Sequence, residues 1–355
     1  ELRAVTQYQG KLHAQAEIIA IRTLAANSAS QNSITLNTAL MADGKVELTS
    51  QGDIHLASQQ ASISGHALVL NAIGDFRNYG GLIAKRKLWL SGLSNSEPSI
   101  QVGAKLIENR GSVEVYDQRE QAGNQWGSRQ ISGNLSFASK TDVLNRFGGF
   151  VRAKTIKVAA QSGRIRNGSL YAFDDPVKEN EPIAATSHNT QVISTLSALP
   201  VSDTKPYVNP KAIIQGLVIQ LEANTSVENI NPYTEPVEFE STEEVEARVS
   251  RTAQSHVDDV RIEAVNKLTI VAPQYVLNSS ANLGVSEFSL APALIIQSPL
   301  VRNERYYSYT VLDTVDETKQ VVEQNPGSTS TTTSSIKGVK ARYGFYSPPG
   351  IIYSF

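Results

Sequence analysis

Apolar residues along this chain recur in pairs with one polar or small residue between them. Val46/Leu48, Ile54/Leu56, Ala61/Ile63 and Leu68/Leu70 begin seven or eight residues apart, separated by Gly, Asp, Ser, Gln or Asn. Alternation with a period of two argues strands rather than helices. Strands this short, joined by tight corners, leave no room for the crossover helices of an α/β sheet. An antiparallel sandwich fits the same pattern, so the choice rests on a repeated block.

Residues 75–92 read DFRNYGGLIAKRKLWLSG, and residues 142–160 read DVLNRFGGFVRAKTIKVAA, the same pattern with one residue inserted before the glycines. Asp75 answers Asp142, Asn78 answers Asn145, and Gly80-Gly81 answers Gly148-Gly149. Beyond the glycines Ile83 matches Val151, Leu88 matches Ile156 and Leu90 matches Val158. Self-similarity of this kind marks stacked equivalent units. The pattern therefore predicts an all-β chain, a right-handed parallel β-helix (solenoid) with long loop insertions and a non-rung aromatic C-terminal part. Each turn would take roughly 20–25 residues and lie about 4.8 Å from the next. Ile83, Leu88 and Leu90 are expected to point inward, with Lys45, Glu47, His55, Lys87 and Lys157 outward. Asn78, Gly80, Gly81, Asn145, Gly148 and Gly149 are expected at corners, because Asn tolerates a left-handed backbone and Gly takes positive φ without steric cost. Looser copies of the corner occur in LIENRGSV (106–113), RIRNGSLYA (164–172) and VENINPY (227–233).

Breaks in the pattern divide the chain. Residues 1–173 read as repeats and 174–212 as a long loop or insertion. Residues 213–300 read as further rungs with an acidic insertion at 235–259, in which Glu243 to Ala253 is the one helical candidate. In 301–355 the segments 303–315 and 317–324 read as longer strands, a candidate hairpin, and the run STSTTTSS (328–335) as a mobile loop. About 14 turns of about 22 residues would make a rod of roughly 65 Å.

Composition narrows the function. Among 355 residues 40% are hydrophobic and 19% charged, the net charge is −2, and there is no cysteine. With no basic field, nucleic acid is not an expected partner. Disulfides, thiolate metal sites and cysteine nucleophiles are excluded. No apolar stretch reaches transmembrane length. The chain opens at Glu1 and its one methionine is Met41, which reads as a piece or processed product of something longer.

The N-x-GG-x-[IV] corner followed by alternating strand positions resembles the haemagglutinin-type repeats of the exoproteins of bacterial two-partner secretion. VENINPY and the terminal YSPPGIIYSF are similar to segments of the contact-dependent growth inhibition effectors within that family. The resemblance is clearest over residues 34–172 and 213–290. It implies a secreted, cell-surface filament of a Gram-negative bacterium, exported through an outer-membrane partner transporter. It further implies that an internal section binds an outer-membrane receptor on a neighbouring bacterium for toxin delivery. A host-cell adhesin and a carbohydrate-active β-helix enzyme are the alternatives.

Candidate chemistry is sparse. A glycosidase needs two carboxylates across the sugar bond, and Asp174-Asp175 and Asp258-Asp259 are the adjacent pairs to test; both adjoin loop-like sequence and read as solvated acids. The five histidines have no metal spacing, and no phosphate loop or nucleophile elbow is present. No catalytic, cofactor or metal residue is assigned. The sharper candidate is Tyr306, Tyr307 and Tyr309 with Tyr343, Phe345 and Tyr346. Tyrosine gives large contact area at little entropy cost, which suits receptor binding. The same rings could cap an open strand edge, and the two roles can coexist.

Overall fold

Three ladders of parallel strands organise the chain, and successive strands join them in a fixed rotation. The computed structural model describes residues 7–8, 12–14, 18–23, 32–88, 96–121, 125–169, 211–231, 235–238, 260–279, 281–286, 293–310, 317–325, 328–336, 343–349 and 351–354. Among these there is no α-helix.

The first ladder stacks short strands, from Ile34–Leu36 through Ile54–Leu56, Phe76–Asn78, Ile107–Asn109, Val143–Asn145, Ile165–Gly168, Ser226–Ile230 and Tyr275–Ser279 to the start of Val301–Thr310. The second ladder includes Ala39–Ala42, Ser62–Gly65, Gly81–Leu88, Ser112–Gln121 and the first halves of Gly149–Ala160, Ala212–Ala223 and Val260–Val271. It ends with Asn282–Val285 and Ile351–Ser354. The third runs from Ile18–Arg22 through Lys45–Ser50, Ala67–Ala72, Ser99–Ala104 and Asn134–Ser139, then through the second halves of the three long strands, to Ala293–Gln297.

Alternation along these strands makes the core. Val46, Leu48, Ile54, Leu56, Ala61, Ile63, Leu68 and Leu70 are all fully buried. In register, Ile63, Leu82, Val113, Val151, Ile214, Ile262 and Leu283 form one apolar column on the second ladder. Each such side chain contributes about 1.5–3 kcal/mol of transfer free energy, and the column binds distant chain segments together. Lys45, Glu47 and His55 are half-buried on the outward side, and Lys157 is exposed.

One inward assignment is corrected. Ile83 is half-buried and pairs with Glu114, while Leu82 and Ala84 fill the core. Gly81 pairs with Ser112, which pairs with Phe150 rather than Gly149. The corner after Asn145 is therefore two residues longer than the corner after Asn78. Phe147 at φ 52° and Gly148 at φ 98° absorb the extra length. Ile156 and Val158 do point inward, and the side chains of Lys87, Leu88 and Leu90 lie outside the described residues.

Three further expectations change. Among the described residues the first ladder contains ten parallel strands, counting Gln7–Tyr8, fewer than the expected 14 or so turns. Residues 317–325 pair not with 303–315 but with Ser328–Ile336, so the Ser/Thr run is a strand and not a loop. The expected helix at Glu243–Ala253 lies outside the described residues, as do 170–210.

Candidate functional site

Every strand of the first ladder from Phe76–Asn78 onward carries an asparagine at one register position. The side-chain amide of Asn78 donates to Asn109 (2.7 Å), Asn109 to Asn145 (2.7 Å) and Asn145 to Asn167 (2.7 Å). Asn167 donates to Asn229 (2.8 Å), Asn229 to Asn278 (2.8 Å), and Asn278 to Asn303 (2.9 Å). The six from Asn78 to Asn278 are buried. Upstream the same position holds Leu56 and Leu36. The nitrogen atoms also reach carbonyls where the chain enters the second ladder: Asn109 to Gly111 (3.0 Å), Asn167 to Ala212 (2.9 Å) and Asn229 to Asn282 (2.8 Å). The asparagines thus tie the two sides of one corner together, strand after strand.

The predicted corner residues sit here. Gly80 lies in the bend after Asn78, its N–H donating to the Asn78 side chain (3.0 Å), and Gly81 opens the next strand. A Cβ on Gly80 would collide with the Ala61 carbonyl, so the close approach requires glycine. Gly148 is in the turn after Asn145, and Gly149 opens the following strand.

All three long insertions leave through this corner. Residues 170–210 separate Ile165–Gly168 from Ala212–Ala223, and the segment after Asn231 separates Ser226–Ile230 from Val260–Val271. The third separates Val301–Thr310 from Ile351–Ser354. Two of them meet. Glu235–Glu238 pairs antiparallel with Tyr343–Pro349, which pairs antiparallel with the second half of Val301–Thr310. In that small sheet Tyr307 opposes Tyr346 and Tyr309 opposes Gly344, and the alternation puts Tyr307, Tyr309 and Tyr346 at positions of one face. Tyr343 and Phe345 occupy the opposite face, and Tyr306 falls at a register shift between Arg305 and Tyr307. Their side chains lie outside the described residues.

Beside the asparagines runs an outward row with an unexpected character. Thr35, His55 and Arg77 are half-buried, but Glu108, Leu144, Arg166, Glu228 and Leu277, which continue the row, are all buried. Glu108 accepts from Arg110 (2.6 Å) and from Arg146 (3.0 Å). The Arg110 guanidinium lies 5.1 Å from the Tyr79 ring and 4.9 Å from the Phe147 ring. Arg166 and Glu228 form a sealed pair at 2.6 Å, and Tyr275 (2.7 Å) and Ser226 (2.8 Å) donate to the other carboxylate oxygen. Burial pushes the Glu228 carboxyl up, but Arg166, Arg164 and the Tyr275 hydroxyl outweigh it and hold the group below its ordinary value. The Tyr275 hydroxyl is pushed up to about 12, first by burial and then by the Glu228 charge. Sequence reasoning missed this cluster, since alternation assigns these positions to solvent.

A second outgrowth stands at the corner between the second and third ladders. There Gly81–Leu88 runs parallel to Ser112–Gln121, and Gln125–Ile131 folds back antiparallel. A two-pronged pair of Arg86 with Asp117, at 3.1 and 2.7 Å, clamps it. A shallow groove of about 380 Å³ on the third ladder is lined by Thr49, Asn71, Gly103, Ala138, Lys140 and Gln161 among others. It carries no facing carboxylates. Among the described residues no group of three or more His, Asp or Glu side chains could hold a metal. Asp174-Asp175 and Asp258-Asp259 lie outside the described residues.

Comparison with protein families, with curated proteins and with solved structures finds no match to this chain. No helix among the described residues is long and apolar enough to cross a membrane.

Proposed function

We propose that this chain is a non-catalytic section of a right-handed parallel β-helix in a secreted, cell-surface exoprotein of a Gram-negative bacterium. Its role is to present a receptor-binding surface to the outer membrane of a neighbouring bacterium in contact-dependent toxin delivery. The observation that carries this reading is the corner. Three insertions leave at one place, yet the asparagine ladder runs past them without a gap and the flanking strands stay paired, with a single register shift between Gly216 and Val218. A scaffold of that kind holds long inserted segments on one side of the stack. Parallel crossover connections are right-handed in nearly all proteins, which supports the handedness.

The recognition surface is assigned to the small antiparallel sheet and the insertions that form it. Tyrosine-rich faces dominate many binding sites. Residues 235–259 contribute eight acidic side chains against two arginines, so a receptor with basic loops is the fitting partner. The outer-membrane transporter would be a partner only during export.

The test is binding of the purified chain to Gram-negative outer-membrane vesicles and, separately, to mammalian cells. Saturable binding to the vesicles, weakened by salt and abolished by Tyr307→Ala/Tyr346→Ala, supports the reading. Binding to mammalian cells alone overturns it in favour of adhesion, and binding to neither overturns it outright.

A further inference from the structure

We infer that Asn167 is a latent deamidation site that the folded asparagine ladder keeps closed. Among all the asparagines of the chain, Asn167 alone is followed by glycine. Two separate structural demands create that pair. The ladder needs an amide at position 167, where it accepts from Asn145 and donates to Asn229. The corner needs glycine at 168, where φ is +93° and a Cβ would overlap the Ile230 carbonyl. Neither residue can be exchanged without loss, so the fold imposes a chemically labile dipeptide on itself.

The chemistry needs only water. The backbone nitrogen of Gly168 loses its proton and attacks Cγ of Asn167, and the side-chain nitrogen leaves as ammonia. Water then opens the five-membered imide at one of its two carbonyls, giving aspartate or isoaspartate. Glycine permits the reaction because no side chain shields the attacking nitrogen.

In the folded chain that approach is blocked. The Asn167 side chain is fully buried and held by Asn145 at 2.7 Å, Asn229 at 2.8 Å, and the carbonyls of Ala212 at 2.9 Å and Arg261 at 3.1 Å. Its amide must leave all four partners before Cγ can turn toward Gly168. Reaction therefore goes through opening of the coil, and is slowed by the opening equilibrium, roughly a thousandfold or more for a stable domain.

The product does not fit back. A carboxylate at 167 replaces the donor that faced Asn229, Ala212 and Arg261 with a charged acceptor, so three oxygens confront it in a dry site. Isoaspartate adds one backbone atom and breaks the register as well. The dipeptide thus records how long a molecule has spent open, and retires molecules that stay open too long.

The experiment uses the unmodified chain, held at mildly alkaline pH in native buffer and in concentrated urea. Peptide mass spectrometry reads the amide-to-acid mass change and isoaspartate at position 167. Conversion in urea with suppression of roughly a thousandfold in native buffer, and failure of the converted fraction to regain the native melting transition, is the expected result. Equal rates in both buffers, no conversion in urea, or converted chains that refold with an unchanged transition would each overturn the inference. The directly made Asn167→Asp chain serves as a second measurement, expected to lack the native transition.

Discussion

Asn167 and Asn229 lie 62 residues apart in the chain, yet their side-chain amides meet at 2.8 Å. A long insertion stands between them, and the hydrogen bond closes over it. Position along the ladder, not distance along the chain, therefore sets what each asparagine is worth.

Interior rungs should cost more to remove than the first one. Asn145→Leu leaves the Asn109 amide and the Asn167 oxygen without their partners, and is expected to destabilise by about 2–4 kcal/mol. Asn78→Leu extends the leucine column of Leu36 and Leu56 by one and strands fewer groups, at about 1–2 kcal/mol. Urea unfolding of both variants measures the difference, and equal losses would show that the ladder is not energetically continuous.

The sealed pair of Arg166 and Glu228 should behave as a unit. Removing either partner alone, as Arg166→Met or Glu228→Leu, leaves a buried charge and is expected to cost about 3–5 kcal/mol. The double variant places apolar residues between Leu144 and Leu277, and should recover most of that loss. A double-mutant cycle in urea tests the coupling.

Stability should fall at both ends of the pH scale. Glu228 has a folded value below its unfolded one, so its contribution is present above the ordinary carboxylate value and lost as acid takes pH down through the folded value. Tyr275 is shifted the other way, so its contribution is complete below 10.0 and is lost as pH rises toward about 12. Tyr275→Phe should flatten the alkaline limb of the urea midpoint plotted against pH.

Residues 170–210 should be removable. The Asn167 amide bonds the Ala212 carbonyl at 2.9 Å, so the corner is already closed from within. Replacing the insertion with a loop about eightfold shorter should leave the strand signal unchanged in circular dichroism and raise stability by about 2 kcal/mol through the smaller closure entropy. Loss of cooperative melting would mean that the insertion helps hold the stack.

Much of the architecture was legible because it is local. Val46/Leu48 and Leu68/Leu70 announce inward positions by spacing alone. The asparagine corner was visible at 78, 109, 145 and 167, each with a glycine within the next three residues, and at 229 through VENINPY, but Asn278 and Asn303 have no glycine so near. Aligning the glycines also misplaced Ile83, since a corner can lengthen by two residues when Phe147 and Gly148 adopt positive φ. The burial of Arg166 and Glu228 was invisible, because a polar residue at an outward position reads as solvated until its partners are located in space. The convergence of three insertions on one corner depends on register between distant segments, and no local pattern carries that.

The asparagine row also has a sense of direction. Each amide gives its nitrogen forward and presents its oxygen backward, so a strand set in reverse, or slipped by one residue, would meet donor with donor or an aliphatic side chain. In an apolar stack, where a misplaced valine is nearly as welcome as the right leucine, such a row acts as proofreading: it favours each strand in its own orientation and its own frame.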